Sequence, residues 1–335
     1  MILVTGGTGL VGAHLLYKLV NNHAKVKAIY RNERKLDNVK KVFSCYTEDF
    51  QKLYNNIEWI KADILDVPAL TEALSNIELV YHCAAFVSFE PDKYHLLRKT
   101  NIEGTANIVN LCCSYNIKKL CYVSSVAALG QSINNEPIDE DTVWNPEADN
   151  HVYGITKYGA EMEVWRASQE GLDVVIVNPG VIIGPGIWRY GSGSLFKKAA
   201  KGFKYYTSGS VGLVSVYDVV DIMCKLMESN IVNERYVLVA ESWSYRKFLG
   251  ALSKSVKRKP PKQKASFFFL KIIWRIDWLK TKLTGKRRQL TKHIVRSLNT
   301  KQNYNSDKVK TILNYSFSPI DQTIKDVGSI YQKQV

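Results

Sequence analysis

Ile2-Leu3-Val4-Thr5-Gly6-Gly7-Thr8-Gly9-Leu10-Val11-Gly12 is the stretch that decides the fold. Residues 2–5 are an apolar run of the length of a buried strand, and VGAHLLYKLVNN from Val11 onward sets apolar residues at helical spacing. Between the two, Gly6, Gly9 and Gly12 stand in a G-x-x-G-x-x-G spacing. A glycine triplet alone carries little weight. Placed directly after a strand and at the opening of a helix, it permits a tight turn and lets a diphosphate approach backbone N–H groups, where the helix N-terminus adds partial positive charge. The competing reading is a glycine-rich turn with a packing role only.

The same alternation continues along the chain. VKAIY (26–30), IEWIKADI (57–64), LVYHCAA (79–85), KLCYVSS (119–125) and DVVIVNPG (173–180) read as strands, with helical segments between them. Strand and helix in alternation predict a doubly wound α/β fold, a parallel sheet covered on both faces. The 335 residues allow two domains or one large α/β unit. No apolar run reaches the roughly 20 residues of a spanning helix. Six cysteines, none in a CxxC pair, are too few for a disulfide scaffold and give no zinc spacing, so no metal site is expected. The opening MILVTGGTGL has no basic region ahead of its apolar run. The expectation is therefore a cytoplasmic protein without a secretory leader.

Two further features speak to chemistry. The second strand ends in Tyr30-Arg31-Asn32, with Arg34 and Lys35 following. A site selective for NAD places a carboxylate here to bind ribose hydroxyls. A guanidinium suits a 2′-phosphate instead, so NADP(H) is favoured and NAD(H) stays open. Further on, Tyr153-Gly-Ile-Thr-Lys157 opens the amphipathic segment 153–170, and residues four apart share a helical face. An ammonium beside a phenol stabilises phenolate and brings its proton transfer toward neutral pH. The Y-x-x-x-K pattern is common. It gains force from Ser124 and Ser125, which end the strand 119–123 where α/β sheets bind ligands. The plain alternative is a surface tyrosine, a solvated lysine and two turn serines.

TGGTGLVG, ADILD (62–66), HCAA (82–85), NIEGTANIV (101–109), YVSSVAALG, YGITK and NPG together resemble the extended short-chain dehydrogenase/reductase family, also described as the NAD-dependent epimerase/dehydratase superfamily. NPGVIIGPG followed by GSGSLF is similar to its dihydroflavonol reductase and hydroxysteroid dehydrogenase branch. The likeness covers residues 1 to about 245 well and the remainder poorly. It implies a Rossmann-type cofactor domain over 1–180 plus about 211–240, and a substrate lobe over 181–210 and 241–335. It also implies roles. Tyr153 matches the catalytic acid/base, Lys157 the lysine that tunes it and binds the nicotinamide ribose, and Ser125 the serine that holds the reacting oxygen. Gly6, Thr8, Gly9, Leu10, Val11 and Gly12 match the diphosphate loop. Asp63 and Ile64 match the adenine contacts, while Ala84, Ala85 and Ser124 line the cofactor. Pro179, Gly180 and Val181 match the turn beside the nicotinamide, and Asn101 a position important to the fold near the site. Sugar-nucleotide dehydratases of the family carry an Asp-Glu pair after the catalytic hydroxyl; Val126-Ala127 stand here, which disfavours dehydration.

On the substrate side, Phe86, Phe89, Ile187, Trp188, Tyr190 and Phe196 are the candidate lining residues. They point to a ketone or secondary alcohol on an apolar or ring-bearing skeleton, unless they are ordinary core. The resulting expectation is an NADP(H)-dependent oxidoreductase. An NDP-sugar epimerase with bound NAD and a non-catalytic NADP(H)-sensing protein are the alternatives. Homodimers are frequent in the family.

Charge is unevenly placed. Residues 1–245 hold 24 Lys and Arg against 27 Asp and Glu, whereas residues 246–335 hold 22 against 4. Such asymmetry marks a surface for an anionic partner. Within it, ASFFFLKIIWRIDWLKTKL (265–283), drawn as a helix, groups Phe268, Phe269, Ile272, Ile273, Ile276, Leu279 and Leu283 on one arc. Lys271, Arg275 and Lys282 fall on another arc beside Trp274 and Trp278, and Lys280 interrupts the apolar one. This pattern describes either a helix in a membrane interface or one packed on the enzyme body. KRKPPKQK (257–264) and GKRRQLTK (285–292) flank it, so 257–292 is the candidate for peripheral contact with the inner membrane face. No zinc finger, helix-turn-helix or RNP-like pattern supports sequence-specific nucleic-acid binding.

Overall fold

The computed structural model describes residues 1–132, 136–284 and 291–335. Its centre is a seven-stranded sheet. In chain order the strands are β1 (Ile2–Thr5), β2 (Val26–Tyr30), β3 (Ile57–Lys61), β4 (Leu79–His82), β5 (Lys119–Val123) and β6 (Asp173–Pro179). After β7 (Val181–Ile183), β8 (Tyr205–Tyr206) and β9 (Ser210–Ser215) comes β10 (Glu234–Leu238), which joins the same sheet. The spatial order is β10-β6-β5-β4-β1-β2-β3 with every pairing parallel. The order reverses between β1 and β4, the crevice at which such sheets take ligands. Ile2 pairs with both Val26 and Leu79, so β1, β2 and β4 start at one level.

Strands buried on both sides need apolar residues throughout, which is why these runs lack alternation. One face is covered by α1 (Leu10–Asn21), α2 (Leu36–Phe43), α3 (Phe50–Asn55) and, much later in the chain, Val216–Glu228. The other carries α4 (Val67–Ala73), α6 (Gly104–Ser114) and α7 (Val152–Gln169). Between them in sequence, α5 (Tyr94–Leu97) runs through a wide π-type turn (Arg98–Glu103) into α6.

A second core lies beyond β6. The strand β9 pairs with β7 in parallel and with β11 (Glu241–Ser244) antiparallel. Around them pack α8 (Gly193–Lys201), α9 (the Val216–Glu228 helix), α10 (Tyr245–Ser255) and the last helix, Ile320–Gln334. Phe196, Leu213, Trp243, Phe248, Ile324 and Tyr331 fill that core. The short strand β12 (Gln263–Lys264) pairs with β8. It leads into α11 (Phe267–Thr284), which touches α12 (Lys292–Ser297). Of α11 only Leu270 is buried, among Ala265, Val295 and Trp274. The packed-helix reading therefore holds for one edge of α11, and its apolar arc faces outward. With the helix anchored through Leu270 and Trp274, Lys280 lies at the border of that arc and not within it. Residues 285–290 of the second basic segment lie outside the described residues. The chain closes with α13 (Asp307–Ile312), whose Val309 is buried against the large sheet, and α14 (Ile320–Gln334).

Candidate active site

The loop after β1 is shaped by backbone demands. Gly6 adopts a left-handed φ of +67°, and a Cβ there would lie 2.6 Å from the Ala84 nitrogen. A Cβ on Gly12 would stand 2.4 Å from the Gly6 carbonyl oxygen. A Cβ on Gly9 meets only that oxygen, at 3.3 Å. The first turn of α1 has no side-chain cap and no acidic residue, so its first N–H groups have no partner within the helix. The loop is thereby packed against the 83–85 backbone while its outer side stays open.

Beside it, Thr5 Oγ1 bonds His82 Nδ1 at 2.6 Å and accepts from the Ala84 N–H at 3.2 Å. His82 Nε2 bonds Thr105 Oγ1 at 3.0 Å, and Thr105 also bonds Tyr122. Burial, with some help from the Lys157 charge, drives His82 down to about 3. The ring is thus neutral and acts as a link between hydroxyls.

Helix α7 begins at His151, whose Nδ1 caps the Gly154 N–H at 2.8 Å. Tyr153 follows in the first turn. Phe89 packs edge-on against its ring, with centroids 5.5 Å apart. Ser125 Oγ accepts from the Ala127 N–H at 3.1 Å and hydrogen-bonds the Tyr153 phenol. Desolvation pushes that phenol up to about 12, and the Ser125 bond pulls it back toward its ordinary value.

Lys157 departs from expectation. It is buried, and its Nζ donates to the Tyr122 hydroxyl at 2.6 Å and to the Val123 carbonyl at 2.8 Å. Burial draws it down to about 7, opposed by the nearby Glu161 and Cys83. The acceptors on β5 capture the ammonium, and Tyr153 stays above its ordinary pKa where an adjacent cation was expected to lower it. Ser125 and Tyr153 come together; Lys157 lies one helical turn further on, bonded to Tyr122 and Val123 of β5.

The other predicted positions divide. Asn101 clamps Phe86, accepting from its N–H at 2.7 Å and donating to its carbonyl at 3.0 Å, and also donates to Thr156 Oγ1 at 3.1 Å. It thereby ties the segment after β4 to the turn carrying Tyr153. Arg31 is 60% exposed at the end of β2, with Asp63 3.4 Å away. Ile64 turns its side chain into the core under Gly104, and its carbonyl accepts from Asn107 Nδ2 at 3.0 Å. Pro179 ends β6 and Gly180 follows it, tight against the Gly212 carbonyl at 2.5 Å from a would-be Cβ.

Most of the expected substrate wall lies elsewhere. The stretch after β7 is pinned near α1 and α2, where His14 bonds the Pro185 carbonyl and Gly186 abuts Val42. Ile187 therefore turns into the main core. Trp188 packs on Phe196 and Tyr331 and donates to Gln334. Tyr190 accepts from Asn38 at 2.6 Å. Of this group, Phe89 is the ring that meets Tyr153.

Sequence reasoning missed Glu161. It is fully buried and accepts from Ser124 Oγ at 2.6 Å, Asn178 Nδ2 at 2.9 Å and Arg235 at 3.0 Å. Asn178 in turn donates to the Ser125 carbonyl at 3.1 Å. The signal was available: residues 157 and 161 fall on the helix face that also holds Ala160, Val164 and Ala167, and a charge on a core face calls for partners.

Residues 2–239 match the family model described as "NAD dependent epimerase/dehydratase family". The chain belongs to the NAD dependent epimerase/dehydratase family. A putative dihydroflavonol 4-reductase of Synechocystis sp. is 33% identical over 182 residues, 54% of this chain and 49% of that protein. The match thus spans about half the length of that relative. Sterol demethylase protein B of Methylococcus capsulatus is 29% identical over 245 residues, 71% of this chain and 69% of its own. In fold, the crystal structure of gox2253 superposes with a TM-score of 0.81 at 24% identity, covering 99% of this chain and 98% of that one. The UDP-glucose 4-epimerase of Thermotoga maritima, solved with UDP-glucose, gives 0.72 at 21% identity, covering 99% and 98%.

As a member of the epimerase/dehydratase family, the chain is an NAD(P)-dependent enzyme of Rossmann-type fold. The residues fit that cofactor. An uncapped helix start without acidic neighbours suits a diphosphate, and the glycine at position 9 keeps a side chain off the turn that leads into it.

Proposed function

We propose that this chain is an NADP(H)-dependent oxidoreductase acting on a ketone or secondary alcohol borne by an apolar or ring-containing skeleton. The observation that carries the reading is the hydrogen bond between Ser125 and Tyr153 at the crevice where Gly6 backs onto Ala84. Reductases among the relatives agree with it.

When bound, the nicotinamide supplies or accepts the hydride. Tyr153 moves the proton at its phenolic oxygen, giving it to the carbonyl oxygen on reduction and taking it from the hydroxyl on oxidation. Ser125 uses a lone pair for the Ala127 N–H, which leaves its own O–H to point at the reacting oxygen. Lys157, near 7, is the charge reserve under the phenol and the residue that would hold the nicotinamide ribose. Phe89 gives the substrate an apolar wall beside Tyr153.

NADP(H) over NAD(H) rests on Arg31. Its exposed guanidinium stands where an NAD-selective site has a carboxylate, and Arg34 and Lys35 follow it. In this reading 1–180 with about 211–240 hold the cofactor, while 181–210 and 241–335 shape the substrate side.

The test is Tyr153→Phe assayed with NADPH and NADH over a panel of aromatic and alicyclic ketones. Turnover should fall by about 10²–10⁴-fold with cofactor affinity unchanged. An undiminished kcat would remove Tyr153 from the reaction.

A further inference from the structure

The helix α11 presents an apolar face that, among the described residues, stays largely exposed, with Phe269 at its border resting on Tyr205 at 5.4 Å between ring centroids. At about 100° per residue, Phe268, Leu279, Ile272, Leu283, Ile276 and Phe269 follow one another around an arc of about 100°. Phe268 is 73% exposed, Ile276 60% and Leu283 78%. The buried edge, Leu270 with Trp274, lies on the opposite side of the helix and fixes which way the arc points.

Charge rims this face on both borders. Lys271, Lys282 and Arg275 line one edge and Lys280 the other. Their stems lie over aromatic rings: Lys271 Nζ sits 4.5 Å from the Phe267 ring centroid and Lys282 Nζ 4.6 Å from that of Trp278. Trp278, 42% exposed, stands beside the basic edge. Across residues 257–292 the sequence counts 13 Lys and Arg against one acidic residue. Among the described residues no helix is long and apolar enough to cross a membrane.

We infer that α11 is a docking helix for the surface of an anionic lipid bilayer, its Phe268–Ile276–Leu283 face entering the headgroup boundary and its lysines and arginines meeting lipid phosphates. Apolar area of this kind is the feature a polyanion such as nucleic acid has no use for, and the dense cationic rim is one that a second copy of the same face would repel. Both properties suit an interfacial helix. The location matters too. On α12, which α11 touches, Arg296 pairs with Asp149 at 2.6 Å, and Asp149 lies two residues before the His151 cap of the Tyr153 helix. The docking face is one ion pair removed from the segment that carries the site. The inference stands on this surface alone, so it survives or fails independently of the oxidoreductase reading.

The experiment is co-sedimentation of the full chain with vesicles of phosphatidylcholine alone or mixed with phosphatidylglycerol, at low and high salt. Wild type should bind the mixed vesicles, release in high salt and bind the neutral vesicles far less. The exposed double substitution Ile276→Asp with Leu279→Asp should lose vesicle binding by about ten-fold or more while keeping cofactor binding. Lys271→Gln with Lys282→Gln should weaken binding to the mixed vesicles only. Vesicles with brominated acyl chains should quench tryptophan emission, and Trp278→Phe should remove most of that quenching. Absence of binding to anionic vesicles would overturn the proposal, as would binding that ignores the aspartate pair. It would equally be overturned by a wild-type dimer that vesicles do not dissociate and the aspartate pair does, or by duplex DNA binding that outcompetes the vesicles.

Discussion

Lys157 Nζ lies 2.6 Å from the Tyr122 hydroxyl, and the two residues pack as cation over ring at 4.2 Å from the centroid. Tyr122 stacks on His82 with centroids 5.4 Å apart, and Thr105 bonds both of them. A buried file of polar groups thus runs from α7 to Thr5 at the end of β1. Tyr122 is a positioning residue in this arrangement. Tyr122→Phe removes an acceptor from a buried ammonium, a bond class worth about 1.5–3 kcal/mol. The charged form loses support, so Lys157 should deprotonate below its present value of about 7. Turnover should fall roughly ten-fold at neutral pH. The limb of the pH–rate profile set by Lys157 should move to lower pH, with the fold checked by circular dichroism. A profile that stays in place would free Tyr122 of this role.

Burial of Lys157 also predicts how stability responds to pH. Its folded value is about 7 against an ordinary 10.5. Between those values the unfolded chain binds the proton and the folded chain does not. Stability therefore rises with pH across this window, and below about 7 the full cost of the buried charge is present. Lys157→Met should be more stable than wild type near pH 7, and the gap should narrow as pH climbs toward 10. Urea unfolding of both proteins at several pH values measures it; a constant gap would contradict the buried charge.

Glycines 9 and 12 should separate folding from cofactor binding. Gly12→Ala drives a Cβ against the Gly6 carbonyl oxygen, backbone that cannot swing aside. It should cost about 1–3 kcal/mol and abolish cofactor binding. Gly9→Ala sets its Cβ 3.3 Å from the same oxygen, a milder approach, and should lower the unfolding midpoint less than Gly12→Ala does while still weakening cofactor binding. Thermal melts and cofactor titrations of the two variants decide it.

Arg31→Ala should leave stability nearly unchanged, because its pair with Asp63 is long and solvent-exposed. Under the NADP(H) reading, KM for NADPH should rise at least about ten-fold while that for NADH barely moves. Equal changes for the two cofactors would remove the 2′-phosphate role.

Glu161→Ala should destabilise by about 3 kcal/mol, since it removes the carboxylate from Arg235, which keeps its bonds to the Glu140 carbonyl, and leaves the buried Ser124 hydroxyl without that acceptor. Glu161→Gln, which keeps an acceptor for Ser124, should recover part of that loss in the same denaturation assay.

The parts of this molecule that were legible in the sequence are those whose determinants are local. Gly6, Gly9 and Gly12 sit within one turn, and Ser125 closes a strand whose apolar run is unbroken. Tyr153 was found through its place at a helix start. The direction of the Lys157 side chain was not legible, because its acceptors, Tyr122 and Val123, come from a strand some thirty residues earlier. Ile187, Trp188 and Phe196 read as substrate wall because a large apolar residue after a late strand has the same sequence signature whether it lines a cleft or fills a core. Glu161 was overlooked as one more charge on a helix, and only the buried face shared with Ala160 and Val164 gives it meaning. The outward arc of α11 was written in its spacing, but which edge is anchored needed Leu270 and Val295 in contact.

The tight crossing of Gly6 over Ala84 bears on how this protein can be redesigned. There, two stretches of main chain leave no slack for a methyl group, so variation at that spot damages the scaffold before it alters recognition. At the end of β2, by contrast, Arg31 stands largely in solvent, with the Asp63 carboxylate 3.4 Å away. Under the NADP(H) reading, a designer wishing to exchange one coenzyme for another has an editable rim and a fixed hinge of glycine, and mutational libraries belong on the first.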